Sequence, residues 1–502
     1  MLPALTLMRA LRTRSGDLTV SRSSLKFRSG IFSRCRVAFL TSDCTHSRLI
    51  RKLNLLESYF DSSHVKHGLW CPVQFALLNC RAEVTQRHLR QALDLLSARH
   101  LALKARIVTV YNEENNKTEK WFEEIGSDVK LPVRCVDEGT DEWESAMERE
   151  LSDPVDGHLW RWVILKGKWS RREGDRMMYK TGIGVSSNHA IADAIGITNI
   201  LGELLEILNE LFEDPRVENR PGKNFSFPPS LENLVSMPTK STKQTTDHAG
   251  GDRYLTKFPP PILTSLRMVT NTGVHYIDVP EDLTSRIIQS AKRNHCTLNS
   301  VLTSAAAIAA AKLIQGGDLK EREIVKAYTN YSLRKYVDED YVPNMGCYIS
   351  SILYKYYIDA EGSESTTFWK LAKQITEDIS RDIMKQRPLG EASSWFENIP
   401  EPDDSNVTAS SIEHTINNLV TFDMSNMGRM TAFESDRQRV VECYGLPGAL
   451  VLSPFMGSVF FHAIYGLNGR LSWTISYSNG LVLPERVTVY ASEILNTLKT
   501  TC

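Results

Sequence analysis

The stretch SSNHAIADAIG, residues 186–196, holds the side chains best suited to chemistry. His189 and Asp193 stand four residues apart, where an alternating apolar run gives way to a helical one. Imidazole titrates near neutral pH, so a histidine at the end of a rigid strand suits general-base work, with the aspartate as its organiser. The same spacing also describes an ordinary helix start. There a polar residue caps the first turn, and an aspartate within it favours the helix dipole. The neighbours are small: Ser186, Ser187, Ala190, Ala192, Ala194 and Gly196. Small neighbours let a substrate approach the ring, and this favours the catalytic reading.

The elements that must hold this pair are legible on both sides. Tyr179, Thr181, Ile183, Val185 and Ser187 alternate with other residues, as a strand ending at the motif requires. From Ile195 the period changes, and Ile200, Leu204, Leu208 and Leu211 follow a helical face. Upstream, the pattern predicts a strand over 73–79, a helix over 84–98, a strand over 105–110 and a turn over 112–118. A returning strand, a short acidic helix over 141–151 and a strand over 159–166 come next. Residues 213–260 are rich in Pro, Gly, Ser and Thr and read as a crossover between two lobes. Downstream, strands are expected over 275–280, 324–334, 346–358 and 419–430. Asn468-Gly469 within 458–478 marks a hairpin. Helices are expected over 281–294, 297–315, 366–387 and 483–499. The second of these is apolar all round, as a buried helix is. Strand–helix–strand alternation in both halves implies an α/β protein of two lobes with mixed sheets, 53–212 and 261–502.

The chain has 502 residues, 42 % hydrophobic and 24 % charged, an ordinary globular composition. Its net charge of −1 gives no general attraction to nucleic acid. The charge is uneven. Residues 1–52 carry eleven Lys and Arg against Asp17 and Asp43, and are rich in Ser and Thr. That basic N-terminal segment has the composition of a mitochondrial transit peptide, so a mitochondrial or cytoplasmic location is expected rather than secretion. Nine cysteines without a Cys-x-x-Cys pair read as reduced thiols. No His-Glu-x-x-His metal pattern occurs, and His64 and His67 read as a helix-end pair rather than ligands. Gly182-x-Gly184 is followed by Ser187 and makes no dinucleotide fingerprint. The longest apolar run, 304–314, is too short to cross a bilayer.

Several segments, in order, resemble the chloramphenicol-acetyltransferase-like superfamily of His-x-x-x-Asp acyltransferases. These are LLESYF (55–60), ALDLLSARHLALKARI (92–107), DPVDGHLWRWVIL (153–165), SSNHAIADA (186–194), FPPSLEN (227–233), CTLNSVLTSAAAIAAAK (296–312), YTNYSLRKY (328–336) and MSNMGRM (424–430). The superfamily includes plant-type BAHD acyltransferases, condensation domains of peptide synthetases, and alcohol and polyketide-associated acyltransferases. The sequence departs from parts of it. Asn188 stands where many condensation domains have a second histidine, and Ala194 stands where a glycine is frequent. FDMSNMG occupies the place of the plant-type Asp-Phe-Gly-Trp-Gly signature, so plant acceptor preferences do not carry over.

The resemblance implies two chloramphenicol-acetyltransferase-like lobes with an active-site tunnel between them. It implies acyl transfer from acyl-CoA, as a co-substrate, to an alcohol or amine, with His189 as general base and no bound cofactor. Asp193 is expected to point away from substrate and pair with Arg334. Ser425 and Asn426 are candidate oxyanion donors, with Gly428 allowing close backbone approach. Ser187 and Asn188 are expected in the pocket wall. Partners are then acyl-CoA and a small-molecule acceptor, for a monomer with no transmembrane segment. Two other readings stay open: a scaffold of the same fold without chemistry, and a condensation enzyme that takes its acyl group from a carrier protein.

Overall fold

The computed structural model describes residues 48–114, 116–126, 130–165, 170–173, 176–214, 225–236, 272–337, 345–361, 364–398, 419–434, 439–453 and 457–502. The basic segment 1–47 and most of the expected crossover lie outside the described residues.

The first half runs β1 (Arg48–Lys52), α1 (Leu55–His67), β2 (Pro72–Cys80), α2 (Gln86–Arg99), β3 (Ala105–Asn112), β4 (Lys117–Glu124), β5 (Val133–Val136), α3 (Trp143–Ser152), β6 (Trp160–Leu165), β7 (Ser170–Glu173), β8 (Arg176–Ser187) and α4 (Ala194–Glu213). The second half runs β9 (Thr272–Val279), α5 (Glu281–Arg293), α6 (Leu298–Ile314), β10 (Glu323–Ser332), β11 (Ile349–Ile358), α7 (Glu364–Met384), α8 (Arg387–Asn398), β12 (Val420–Arg429), β13 (Val441–Gly445), β14 (Gly448–Leu450), β15 (Ser458–Leu467), β16 (Arg470–Ser478) and α9 (Pro484–Thr501). Both main sheets are mixed, as expected. The N-lobe sheet has the order β13-β2-β8-β6-β5, with β14 on β2 and β7 on β8. Within it only β5 and β6 are parallel. The C-lobe sheet has the order β11-β10-β12-β15-β16-β9, parallel at β10–β12 and β12–β15.

Side-chain alternation explains the layers. On β2, Val73, Phe75 and Leu77 join the core beneath α3, while Ala76, Leu78 and Cys80 join the core beneath α2 and α4. Gly184 pairs with Phe75 across β8 and β2, and a Cβ there would lie 2.6 Å from the phenyl ring. The Gly182-x-Gly184 pair thus makes room for large neighbours in the core. In α6 every residue except Leu298, Asn299 and Lys312 is buried, because its alanines allow close packing against α7, α9 and the sheet. Among the described residues no single helix is long and apolar enough to cross a membrane. The described cysteines are all free thiols.

Three features depart from the one-dimensional reading. Residues 48–52, grouped with the basic tail, form β1 and pair with β4. Arg51 there makes a two-pronged ion pair with Glu57 at 2.7 and 2.8 Å and lies over Phe122 and Phe227. The helix expected over 366–387 ends at Met384, and a separate helix, α8, follows it. Most consequentially, β13 and β14 leave the second half and close the edge of the N-lobe sheet against β2. Asn209 of α4 secures that crossing, accepting from Val441 N at 2.8 Å and donating to Val441 O at 3.1 Å. His64 is no ligand. Its ring nitrogens lie 3.2 Å from Leu69 O and 2.7 Å from Val155 O, tying the end of α1 to the loop before β6.

Candidate active site

β8 stops at Ser187 because the next residue turns the chain. Asn188 Oδ1 accepts from Ala190 N at 3.0 Å, and its Nδ2 donates to Asp61 Oδ1 at 3.0 Å. α4 starts at Ala194 because Asp193 caps it, its Oδ1 accepting from Gly196 N at 2.8 Å. His189 lies between these two devices, and its backbone N donates to Trp70 O at 3.0 Å. The imidazole stacks on Phe60 at 4.8 Å and meets Trp70 edge-on. Cys347 Sγ lies 3.5 Å from Nδ1.

The ring lines a cavity of about 410 Å³, within the range usual for small-molecule sites. α1, β2 and the junction loop form one side of it, and β10, β11, β12 and β15 form the other. Burial depresses the pKa of His189, against an upward pull from the Asp193 charge and from the backbone at His189 and Ala192. The net downward shift keeps the imidazole neutral at pH 7, the form a base needs. Cys347 is also buried, and desolvation lifts its thiol well above the ordinary value, so it stands beside the ring as a neutral thiol.

Asp193 does three things at once. It caps α4, its Oδ2 pairs with Arg334 Nη1, and the same oxygen accepts from Tyr348 N at 3.0 Å. Arg334 sits in a 3₁₀ turn, Leu333–Tyr336, just after β10, so the pair joins the two lobes. Gly346 completes the joint. Its carbonyl accepts from Asp193 N at 3.1 Å and from Arg334 Nη2 at 3.2 Å. Gly346 has φ +106°, and a Cβ there would lie 2.5 Å from the Tyr348 ring. The expected Asp193–Arg334 pair is therefore present and buried.

The other candidates divide. Ser425 and Asn426, on β12, line the cavity. Gly428 does not line it. At φ +74° it ends a turn in which its N donates to Asn426 Oδ1 at 2.9 Å, so that amide oxygen is committed. Ser187 and Asn188 do not line the cavity either. Ser187 is fully buried, and Asn188 is spent on the turn. The small neighbours of His189 mostly pack rather than open an approach. Ser186 donates to Glu150 at 3.1 Å, and Ala190 packs with Leu56, Phe60 and Cys347. Of those neighbours only Ala194 reaches the cavity.

Several cavity residues escaped the motif-based reading. Gln74 is one, its Oε1 accepting from Thr198 at 3.1 Å and its Nε2 without a partner among the described residues. Tyr328, Asn330 and Ser332 on β10, and Asp423 on β12, are others. Their signal was present as period-two alternation. On β12, Phe422 and Met424 face the helices while Asp423 and Ser425 face the cavity. What a single sequence lacks is the knowledge of which face of each strand meets the other lobe. Asn330 begins an Asn-x-Ser sequon, but its Nδ2 is used inside, donating to Asp423 Oδ1 at 3.0 Å.

No family model and no curated protein sequence matches the chain. Solved structures do. TRI3 trichothecene 15-O-acetyltransferase from Fusarium sporotrichioides aligns over 90 % of this chain and 95 % of its own, with a TM-score of 0.64 and 12 % identity. Polyketide synthase associated protein 5 from Mycobacterium tuberculosis aligns over 91 % and 100 %, with a TM-score of 0.58 and 13 % identity. The first condensation domain of the CDA synthetase aligns over 90 % and 96 %, with a TM-score of 0.53 and 13 % identity. At such identities the likeness shows the fold, which is the two-lobed fold of chloramphenicol-acetyltransferase-like enzymes and condensation domains.

Proposed function

We propose that the protein is an acyltransferase that moves an acyl group from an acyl-CoA thioester to an alcohol or amine acceptor, with His189 as general base. One observation carries the reading: a buried imidazole, clamped between Phe60, Trp70 and Cys347, lines a cavity between the lobes. With Nδ1 set 3.5 Å from Cys347 Sγ, Nε2 is the nitrogen left for substrate. It takes the acceptor's O–H proton as the oxygen attacks the thioester carbonyl carbon. The C–S bond then breaks, and the departing sulfur takes the proton back from the imidazolium. Both substrates are held together, and no acyl-enzyme is needed.

The tetrahedral intermediate needs donors for its oxyanion. Ser425, Asn426 and Gln74 Nε2, which has no partner among the described residues, are the candidates in the cavity wall. Asp193 takes no proton. Its two oxygens are occupied by Arg334, Tyr348 N and Gly196 N, and it holds the base-bearing loop against the second lobe. The likeness to condensation domains supports a second reading, in which the acyl group arrives on a carrier protein.

The test is CoA release by the full-length chain from short- to long-chain acyl-CoAs, with pooled alcohols and amines. Acceptor-stimulated release that disappears in folded His189→Ala is the expected result. Equal release from both proteins removes His189 as the base. Release that requires a loaded carrier protein selects the second reading.

A further inference from the structure

The charges of the cavity are unbalanced. Among the described residues no Lys or Arg lines it. Its ionisable acids are Asp193, neutralised by Arg334, and Asp423. Among the described residues Asp423 receives only neutral donors, Asn330 Nδ2 at 3.0 Å and Ser458 Oγ at 3.4 Å. Asn330 is itself held by Ser351 Oγ, which donates to its Oδ1. This chain of Ser351, Asn330, Asp423 and Ser458 runs across four neighbouring strands, β11, β10, β12 and β15. It fixes the carboxylate without neutralising it.

A carboxylate withdrawn from bulk water without a cation destabilises a fold, and such groups concentrate where a ligand completes them. Desolvation raises its pKa to about 6, so it is still mostly ionised at pH 7. Asp423 and Ser425 share a face of β12, about 6.5 Å apart by strand rise. One substrate can therefore span the carboxylate and the candidate oxyanion donor.

We propose that Asp423 binds the protonated amine of the acyl acceptor, and that the acceptor class is an amino alcohol acylated on its hydroxyl. The catalytic half rests on the acyltransferase reading above; the binding half does not. The ammonium would donate to the free lone pairs of Asp423 while the hydroxyl lies at His189.

The test is equilibrium titration of the full-length protein with 5-amino-1-pentanol, 1-pentanol and 1,5-pentanediol, followed by calorimetry and by Trp fluorescence, together with acylation rates. The amino alcohol is expected to bind about tenfold more tightly than the alkanol. Asp423→Asn is expected to reduce that preference to within about twofold. Equal binding of the three by the wild-type protein overturns the proposal, and this comparison needs no variant to fold. Diol binding as tight as the amino alcohol also overturns it, because the site then reads a hydroxyl. A preference unchanged in folded Asp423→Asn overturns it too. Amine-selective binding without acylation of any acceptor would sink the acyltransferase reading and leave the binding site standing. Acylation of alkanol and amino alcohol alike would do the reverse.

Discussion

Asp193 and Arg334, 141 residues apart in the chain, form a buried ion pair that ties the base-bearing loop of one lobe to the strand end of the other. Gly346 O and Tyr348 N complete the joint from a third segment. The position of His189 relative to the second lobe thus depends on a contact in which it takes no part.

Asp193→Ala takes away the carboxylate that faces the buried Arg334 and also removes the cap of α4. Breaking one side of a buried pair costs about 3–5 kcal/mol, and a lost cap about 1 kcal/mol. Chemical denaturation should show a loss of that size, with activity falling alongside. Asp193→Ala combined with Arg334→Leu should cost less than the sum of the two single changes, since no stranded charge remains.

His189→Ala should remove about 10²–10⁴-fold of turnover through loss of the base. The pH profile of kcat/KM carries a sign. The pKa of His189 is lowered by burial, so activity should rise through a midpoint below about 6.5 and be flat at pH 7. The linked stability follows the same direction. The unfolded chain binds the proton more readily, so stability is complete above about 6.5 and is lost as the pH falls. A midpoint above the ordinary imidazole value would contradict this environment.

Asp423 works in the opposite sense. Burial raises its pKa from 3.8 to about 6, with Asn330 and Ser458 pulling it down. The fold therefore holds the proton more tightly than the unfolded chain, and its stability falls as pH rises from about 4 to 6. The phenol of Tyr328 is pushed up to about 12 by desolvation first and then by Asp423, so it stays neutral in this range. Asp423→Asn should stabilise the protein at pH 7 by at most about 3 kcal/mol, and the gain should vanish near pH 4. Thermal unfolding at the two pH values measures both limbs.

Gly184→Ala forces a methyl group into the ring of Phe75, 2.6 Å from where its Cβ would stand. Overpacking of this kind costs about 1–3 kcal/mol. Phe75→Leu should recover part of the loss in the double variant while being destabilising alone. Equilibrium unfolding of the four proteins gives the coupling.

Much of the architecture is local and so was readable. Alternation from Tyr179 to Ser187, followed by a helical period from Ile195, placed His189 at a strand-to-helix junction, where the structure has it. The all-apolar run of α6 predicted a buried helix because no face of it could be left to water. The Asn468-Gly469 hairpin and the final helix follow from equally short-range rules. The strands β13 and β14 did not, because their role is to cover the edge of β2, some 360 residues earlier in the chain. An edge looks the same in sequence whatever eventually pairs with it.

The sequence by itself determined the elements, the buried helix and the polar pair at the junction, because backbone periods and capping act over a few residues. Only the tertiary structure decided which polar residues share a space. It turned Ser187 and Asn188 into packing and turn bracing, and moved Gly428 out of the wall. It set Gln74, Asn330 and Asp423 around the cavity with His189. Those assignments depend on which face of each strand the other lobe covers, and that is settled by long-range burial and by the partners that buried polar groups find.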